Sequence, residues 1–368
     1  MTSVHPWNDT RIFNKMCRSL AADGGQVILL APIDKRTCID GINIFPVRRP
    51  AFRIMRMLIS SYQIFKYARQ IQADIYHFHD PELLFVGRAL RFTGRNVVYD
   101  VHEDYSNSIM SNDSIPDALR TFASALTWAI ERNIIPKLNG TVSATPGIAN
   151  KLAPYSVNSA IVNNYPVIGK MVLAKRKRLK SYSSSTHNLI YAGSISLARG
   201  IVEMVEALVI VNKSIQCTLL LCGKYSPQEL ETRVRKLDGY EFVKYFGQIN
   251  REELSKRYRQ SQMGIVLFHP EPNHIESQPN KLYEYMEAGL PILASNFTQW
   301  QRFISSNRIG VTVNPLDPLQ IANKIIHSLQ DPEKLHEMGK NGNIMIQNRY
   351  NWENEKQKLG QFYKNLLN

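Results

Sequence analysis

The chain has 368 residues, a net charge of +14 and 44% hydrophobic residues. This length suits two domains that each bury a core, and the composition excludes a disordered chain. The four cysteines lack C-x-x-C spacing, which argues against a zinc ribbon or a disulfide framework and favours a reducing cytoplasm. No apolar run reaches the roughly 18 residues of a membrane span, and no signal peptide is recognisable at the start.

The positive charge is concentrated in the first half of the chain. Residues 1–180 hold 24 Lys and Arg against 13 Asp and Glu, whereas residues 181–368 hold 21 against 18. This asymmetry predicts different partners for the two halves.

The first predicted elements are a loop, a helix and a strand. The loop contains His5 and Asp9, the helix runs from about Arg11 to Ala22, and residues 23–32 predict a turn followed by a buried strand of the parallel-sheet kind.

Residues 48–69 predict an amphipathic basic helix. Apolar residues recur there at steps of three and four: Phe52, Met55, Leu58 or Ile59, Tyr62 and Phe65. Basic residues fall largely elsewhere on the helical wheel. Two interpretations are open. Either the helix packs on the domain's own sheet with a solvated basic face, or it lies on an anionic lipid surface.

Two short strands are followed by clusters of titratable residues. A73-D-I-Y-H-F-H-D-P-E-L-L84 contains His77, His79, Asp80 and Glu82. N96-V-V-Y-D-V-H-E-D-Y105 contains Asp100, His102, Glu103 and Asp104. Because the carboxyl ends of parallel strands face the ligand crevice, these clusters predict a site. A metal hydrolase using His77, His79 and His102 is an alternative, although no further His or Cys stands at a fixed offset to complete the coordination.

Residues 169–186 are rich in charge and serine and predict an interdomain linker. The basic cluster in this linker lacks an aromatic platform, a zinc pattern and a recognition helix, so we expect no nucleic-acid partner. The second domain then begins with N188-L-I-Y-A-G-S-I-S-L-A-R-G-I-V-E203, a strand, a glycine turn at Gly193 and a helix, which is an arrangement that binds phosphate. Further strands are predicted at 217–223, 241–247 and 264–268.

The stretch E276-S-Q-P-N-K-L-Y-E284 predicts a loop that enters a short helix. We expect Pro279 at the first helical position, a helix stop at Gly289 and a buried strand over residues 290–295. Free N–H groups around Asn280–Leu282, with Lys281 beside them, would bind an anion. Glu276 before the helix and Glu284 within it place one carboxylate on each side of this anion site. This arrangement suits a phosphate flanked by two polyhydroxyl groups, as in a nucleotide-sugar. The alternative is an ordinary surface helix with solvated glutamates.

The E-x7-E pair, followed by an A-G-x-P turn, resembles the donor-binding domain of retaining GT-B glycosyltransferases of family four. The H-F-H-D-P-E-L-L and Y-D-V-H-E-D-Y strings resemble members that build bacterial surface polysaccharides. The resemblance implies that Glu276 contacts the donor sugar, Glu284 the nucleotide ribose and Arg199 the diphosphate. It also implies that His102 lies near the donor sugar and the acceptor hydroxyl, with a histidine that caps its strand as the alternative.

This chain departs from the family pattern in three places. Ser277 and Pro279 replace the usual motif glycines, and Ser194 replaces a basic residue after the glycine turn. Family members usually begin with an additional strand, which we expect to be missing before the first loop here.

The predicted fold class is α/β of the GT-B type, with two doubly wound Rossmann-like parallel-sheet domains that face a cleft. The predicted domains are 1–168 for the acceptor, 187–345 for the nucleotide-sugar, and a helix in 346–368 that packs back on the first domain.

The predicted reaction moves a hexosyl unit from a nucleotide diphosphate sugar, UDP in preference to GDP, to a glycan or lipid-diphosphate acceptor. The sites are predicted as three sets. The catalytic set is His102 and Glu276. The donor-binding set is Gly193, Arg199, Ser277, Asn280, Lys281, Leu282 and Glu284. The acceptor-side set is His5, Asp9, Arg11, His79, Asp80 and Glu103.

No cofactor and no metal are expected, because no Asp-x-Asp occurs in the chain. The predicted location is cytoplasmic, with peripheral contact to an anionic membrane. The alternatives to a transferase are a sugar-nucleotide epimerase or phosphorylase of the same fold, the metal hydrolase, and a scaffold without activity.

Overall fold

The computed structural model describes residues 1–110, 116–168 and 186–368. The predicted linker at 169–186 therefore lies outside the described residues except for Thr186. The chain divides into two compact units. The first unit comprises Met1–Asn164 and Trp352–Asn368, and the second comprises Tyr165–Asn351.

The first unit contains two small sheets. One has the order β1–β3–β2, from β1 (Ile28–Pro32), β2 (Thr37–Ile39) and β3 (Ile42–Val47). The other has the order β4–β5–β6–β7, from β4 (Tyr76–Phe78), β5 (Val97–Val101), β6 (Gly140–Ser143) and β7 (Ser159–Ile161). All pairs are parallel except β2 with β3. The apolar strand at 23–32 is confirmed as β1.

The backbone of the first two residues lies between these sheets. The Thr2 N–H donates to the Leu30 carbonyl oxygen (2.9 Å), and the His79 N–H donates to the Met1 carbonyl oxygen (3.2 Å). The Met1 amino group donates to the His77 carbonyl oxygen (2.8 Å). Within the described residues no strand precedes β1, and this two-residue bridge connects the edges of β1 and β4.

The helices of the first unit, in chain order, are Ile12–Cys17 (a π-helix), Arg18–Ala22, Arg53–Gln70, Leu84–Phe92, Tyr105–Met110, Asp117–Ile134 and Pro146–Leu152, with 3-10 turns at Pro81–Leu83 and Ile135–Lys137. The last helix of the chain, Trp352–Leu367, also belongs to this unit. It is fastened there by the Trp352 indole N–H, which donates to the Ser19 hydroxyl (2.7 Å), and by Glu355, which accepts from the Asn163 backbone N–H (2.7 Å).

The helix predicted at 48–69 begins later, at Arg53, and most of its apolar stripe does not pack on the sheet. From Met55 onward, its buried positions are Ser60, Ile64 and Ala68. Of the predicted stripe only Phe65 packs against the core, whereas the rest is exposed: Phe52, Met55, Leu58, Ile59 and Tyr62. The helix thus packs on its own unit, as one interpretation predicted, but through Ile64, Phe65 and Ala68 and not through the rest of the predicted stripe. Among the helices that the structure describes, none is both long and apolar enough to cross a bilayer.

The second unit is built on one parallel sheet of six strands in the order β10–β9–β8–β11–β12–β13. The strands are β8 (His187–Ala192), β9 (Cys217–Cys222), β10 (Val243–Gly247), β11 (Met263–Val266), β12 (Ile292–Ser295) and β13 (Gly310–Val313). Neighbouring residues of β8, such as Leu189 and Ile190, belong to different core clusters. The apolar runs of this sheet are thus buried on both faces, as a parallel sheet covered by helices requires.

The helices of the second unit are Ile201–Asn212, Leu230–Val234, Arg251–Gln260, Pro272–Ile275, Asn280–Glu287, Thr298–Ser306, Pro318–Leu329 and Pro332–Asn348, with 3-10 turns at Leu197–Arg199 and Asp238–Phe242. Three of these helices begin at a side chain that accepts a backbone N–H three residues ahead: Asn250, Asp317 and Asp331. The predicted α/β class with parallel sheets is confirmed.

Candidate active site

A glycine turn follows β8 in the second unit. Gly193 has a φ of 139°, and its N–H donates to the Cys222 carbonyl oxygen (2.7 Å). A Cβ at this position would overlap the amino group of Lys281. Glycine is therefore required here by the backbone conformation, and the end of the Lys281 side chain occupies the space where a Cβ would lie.

Two cationic side chains lie at this turn. The Lys281 Nζ is 5.6 Å from the Tyr191 ring centroid, and the Arg199 guanidinium is 4.7 Å from the Phe268 ring centroid. In the described part of the chain, neither cation forms an ion pair with a carboxylate. Burial and the Arg199 charge lower the pKa of Lys281 to about 8, with Glu284 acting in the opposite direction. Two nearby cations without a paired carboxylate form a receptor for an anion such as a diphosphate.

The helix start beside Lys281 differs from the prediction in two details. Pro279 is the residue before the helix, not its first residue, with extended backbone (φ −65°, ψ 132°). The Leu282 N–H donates to the Pro279 carbonyl oxygen (3.0 Å), and the Leu282 side chain is buried. Leu282 is therefore not a free donor, because the proline carbonyl already uses its N–H. In the described residues this leaves the N–H groups of Asn280 and Lys281 for an anion.

The two glutamates have different surroundings. Glu284 lies within the helix and accepts a hydrogen bond from the Tyr258 hydroxyl at one carboxylate oxygen (3.1 Å). Glu276 is exposed in the preceding loop. That loop is fixed by the Trp300 indole N–H, which donates to the Ser277 carbonyl oxygen (2.7 Å), and by the Ser277 hydroxyl, which donates to the His274 carbonyl oxygen (2.8 Å). Ser277 thus holds the shape of the loop.

A residue pair near Arg199 was not predicted from the sequence. The His269 N–H donates to the Ala198 carbonyl oxygen (2.8 Å), and the His269 Nε2 lies 3.2 Å from a Glu203 carboxylate oxygen. These contacts connect the loop that leads to Glu276 with the turn that carries Arg199. Only the H-P dipeptide after a buried strand marks His269 in the sequence, and such a signal is too common to identify it.

In the first unit the predicted clusters meet around Asp100, which is fully buried. Arg11 donates to both Asp100 carboxylate oxygens, from Nε (3.0 Å) and Nη2 (2.9 Å), and its Nη1 donates to the Val162 carbonyl oxygen (2.8 Å). Burial alone would raise the pKa of Asp100, but the Arg11 guanidinium together with His77 and His79 outweighs burial and holds that pKa well below the ordinary range. Asp100 belongs to one of the two predicted clusters but was assigned no role there, since the sequence gives no sign of its pairing with Arg11.

Histidines surround this ion pair. The His79 and His102 rings are stacked, with centroids 5.1 Å apart, and the His5 ring meets His102 edge-on at 5.2 Å. Burial lowers the pKa of His102 to about 4, with Asp100 raising it and Arg11 lowering it further. Neither ring nitrogen of His102 has a hydrogen-bond partner among the described residues. His102 is therefore a neutral imidazole without a capping hydrogen bond, and both of its ring nitrogens are buried, with Nδ1 3.9 Å from an Asp100 carboxylate oxygen.

Several predicted acceptor-side residues are occupied by structural contacts. One Asp9 carboxylate oxygen accepts the N–H groups of Arg11 (2.8 Å) and Ile12 (2.9 Å). Asp80 is buried and accepts from the Ser3 N–H (2.6 Å) and the Thr2 hydroxyl (2.8 Å). His79 is buried beneath the His102 ring, and all three nitrogens of Arg11 donate within the unit. Among the acceptor-side candidates, Glu103 keeps an exposed side chain, and the side chains of His5 and Asp9 are 33% and 25% exposed.

The histidine cluster differs from the ligand set of the hydrolase alternative. Among the described residues, ligand atoms of His77, His79 and Asp100 lie within 4.8 Å of one another, and His102 is not part of this group. The Arg11 guanidinium already neutralises Asp100 at 3.0 Å or less. A divalent ion would therefore lie beside a fixed cation with little net negative charge to attract it, and this donor set does not fit a metal.

Comparison with protein families gives matches over both units. A model described as Glycosyltransferase Family 4 matches residues 10–164, and one described as Glycosyl transferases group 1 matches residues 176–345. The chain belongs to the family-four glycosyltransferases. The enzyme thus has one family region in each of its two units. A search of curated proteins gave no match.

Solved structures support the same fold for the enzyme. Sucrose-phosphate synthase from Thermosynechococcus elongatus is 20% identical with a TM-score of 0.75, and the match covers 95% of this chain and 91% of that one. WaaG, a glycosyltransferase involved in lipopolysaccharide biosynthesis, is 15% identical with a TM-score of 0.71, over 97% and 96% of the chains. Anabaena HepE in complex with UDP and glucose is 14% identical with a TM-score of 0.65, over 88% and 86%. The predicted GT-B fold is confirmed.

Proposed function

We propose that the enzyme transfers a hexosyl unit from a nucleotide diphosphate sugar, UDP in preference to GDP, to a hydroxyl of a glycan or a lipid-linked acceptor. The observation that carries this proposal is the pair of Arg199 and Lys281, which lies on the Gly193 turn without a paired carboxylate in the described residues. Sugar nucleotides suit this arrangement because the diphosphate supplies the missing negative charge. The UDP complexes of HepE are consistent with this donor class.

The same groups provide the means of catalysis. As the bond between the sugar and the diphosphate breaks, negative charge accumulates on the departing phosphate. Fixed cations therefore stabilise the transition state more than they stabilise the ground state. Arg199, Lys281 and the N–H groups at the helix start are such donors. Glu284 would hold the ribose through the carboxylate oxygen that Tyr258 leaves free, and Glu276 would orient the sugar.

We assign His102 to the sugar and the acceptor hydroxyl. Its low pKa keeps the imidazole neutral at pH 7, so that it can accept or donate a hydrogen bond without bringing a positive charge to a centre that itself becomes positive. We propose that the product keeps the anomeric configuration of the donor, as the resemblance to retaining enzymes implies.

We propose that the reaction needs no divalent metal. The chain has no Asp-x-Asp, and the diphosphate charge is met by Arg199 and Lys281. We also propose that the enzyme works in polysaccharide biosynthesis at the inner face of an anionic membrane, where a lipid-diphosphate acceptor would reside. The excess of basic residues in the first half of the chain supports this location.

The experiment is proton NMR of the enzyme with UDP-α-glucose and other α-linked UDP- and GDP-sugars, first without an acceptor. Slow release of UDP together with the α anomer of the free sugar would support the proposal, since the product is seen before it mutarotates. Initial release of the β anomer would contradict retention. An epimerised nucleotide-sugar would indicate the epimerase alternative, and sugar phosphate formed only with inorganic phosphate would indicate a phosphorylase. Glu284→Ala, which removes the carboxylate expected at the ribose, is the matched variant for donor-dependent turnover.

A further inference from the structure

The helix Arg53–Gln70 exposes an apolar stripe along its length. Ser60, Ile64 and Ala68 face the core of the first unit. On the other side, Leu58 is 68% exposed and Tyr62 is 70% exposed, with Met55 one turn before them at 48%. An amphipathic helix normally turns its apolar side to the core. Here the large apolar side chains are on the solvent side.

Two neighbouring helices repeat this feature. The helix Leu84–Phe92 packs against Arg53–Gln70, and Asp117–Ile134 packs against Leu84–Phe92. Phe85 and Phe92, seven residues apart and so on one side of their helix, are 63% and 82% exposed. The third helix exposes residues at spacings of three and four: Leu119, Phe122 and Leu126. Single exposed apolar residues are normal, but such a group on three adjoining helices marks an interaction surface.

The charge of these helices indicates the kind of partner. Their 45 residues contain eight Lys and Arg but only two acidic residues, of which Glu131 is buried. Lys66 and Arg69 are exposed at the end of the stripe, and the Arg88 guanidinium lies 5.9 Å from the Phe92 ring centroid. Large apolar side chains among basic ones match a bilayer with anionic headgroups, whereas two copies of this positive face would repel each other.

We infer that these three helices form one docking surface for an anionic lipid bilayer, with Phe85, Phe92 and Phe122 inserted among the acyl chains. This rests on the proposed membrane location of the reaction and makes it specific, because the aromatic anchors add hydrophobic insertion to charge attraction. Arg and Lys beside the anchors would remain at the headgroups while their aliphatic stems lie along the apolar surface.

The test is flotation of the full chain with phosphatidylcholine vesicles, with and without phosphatidylglycerol. One variant carries Phe85→Ser, Phe92→Ser and Phe122→Ser. The matched control carries Val157→Ser and Leu319→Ser, which are 68% and 57% exposed outside the three helices. We expect the native chain and the control to float with anionic vesicles. Each lost anchor should weaken partitioning about tenfold, since burial of a Phe side chain is worth roughly that factor or more. Calorimetric UDP binding reports on folding of the second unit in every variant, and circular dichroism reports on the first.

The outcomes separate this inference from the proposed function. If the triple variant binds anionic vesicles as well as the native chain does, and salt weakens that binding, the insertion of the three Phe side chains would be overturned. Contact with the membrane would then rest on charge alone. No binding by the native chain would overturn the docking surface, and donor turnover measured without vesicles would show whether the transferase proposal stands. Sedimentation of a native dimer that the triple variant converts to a monomer would show instead that the face joins two copies. Loss of flotation in the triple variant, with the control unchanged and UDP binding intact, would support the inference.

Discussion

Titration of Lys281 provides a direct test of the proposed donor site. Burial and the neighbouring Arg199 lower the pKa of Lys281 to about 8 in the free enzyme. A bound diphosphate stabilises the charged amine and raises this pKa. Below pH 8 the lysine is protonated in both states, so affinity is constant. Above pH 8 the free enzyme loses the proton that the complex retains, and binding must take up a proton from solution.

The magnitude follows from the size of the shift. At pH 9, one unit above the pKa, about nine-tenths of the free lysine is neutral, so the affinity falls about tenfold, or about 1.4 kcal/mol. A lysine with the ordinary pKa of 10.5 would give no change at that pH. The assay is calorimetry with UDP-glucose between pH 6.5 and 9.5, where the diphosphate group keeps a constant charge, and the Lys281→Met profile corrects for ionisation of the uracil ring near the upper end.

Two variants make this result specific. Lys281→Met should bind more weakly with a flat pH profile, and the native curve should approach it at high pH. Arg199→Met removes the adjacent charge, so the remaining decline should begin at a higher pH than in the native enzyme. A native profile that stays flat to pH 9.5, or that parallels the Lys281→Met profile at every pH, would refute the assignment of Lys281 to the phosphates.

Three other predictions concern stability and metal dependence. Burial raises the pKa of Glu131 to about 7, so the free energy of unfolding should fall by up to about 3 kcal/mol as pH rises from 4.5 to 7. In urea titrations, Glu131→Gln should remove this decline. Equal pH dependence of the native protein and the variant would disprove the prediction. Asp100→Asn should lower the free energy of unfolding by about 3–5 kcal/mol, because it leaves the Arg11 charge unpaired. The double variant with Arg11→Met should recover part of this loss. Thermal unfolding measures both variants, and no recovery in the double variant would count against the ion pair. Turnover of the donor should survive EDTA, and abolition by EDTA with restoration by Mg²⁺ or Mn²⁺ would show a metal requirement.

The local pattern predicted much of the second unit. The apolar run and the Pro–Gly spacing around the E-x7-E pair correctly indicated the helix at Asn280–Glu287, the stop at Gly289 (φ 60°) and the strand Ile292–Ser295. The use of the Leu282 N–H could not be predicted, because it depends on Pro279 lying one position before the helix. Such one-residue offsets at helix ends are decided by backbone geometry and not by composition.

Long-range contacts explain what the sequence missed in the first unit. The pairing of Arg11 with Asp100 joins residues 89 positions apart, and Tyr363 of the last helix forms a 2.6 Å hydrogen bond with the His77 Nδ1. The spacing of residues in the sequence indicates neither of these two contacts. The exposed stripe at Met55, Leu58 and Tyr62 shows the same limit, because helical periodicity finds an apolar side but not the direction in which that side faces.

We propose above all that the second unit binds a nucleotide diphosphate at Arg199, Lys281 and Glu284. Calorimetry with UDP, GDP and their common sugars tests it most directly, with Arg199→Ala and Glu284→Ala as variants and Leu319→Ser as a folded control. We predict that one nucleotide, UDP in preference to GDP, binds to the native enzyme and the control, and that both site variants lose this binding. Failure of every nucleotide to bind to folded protein, or binding that survives both site substitutions, would contradict the account.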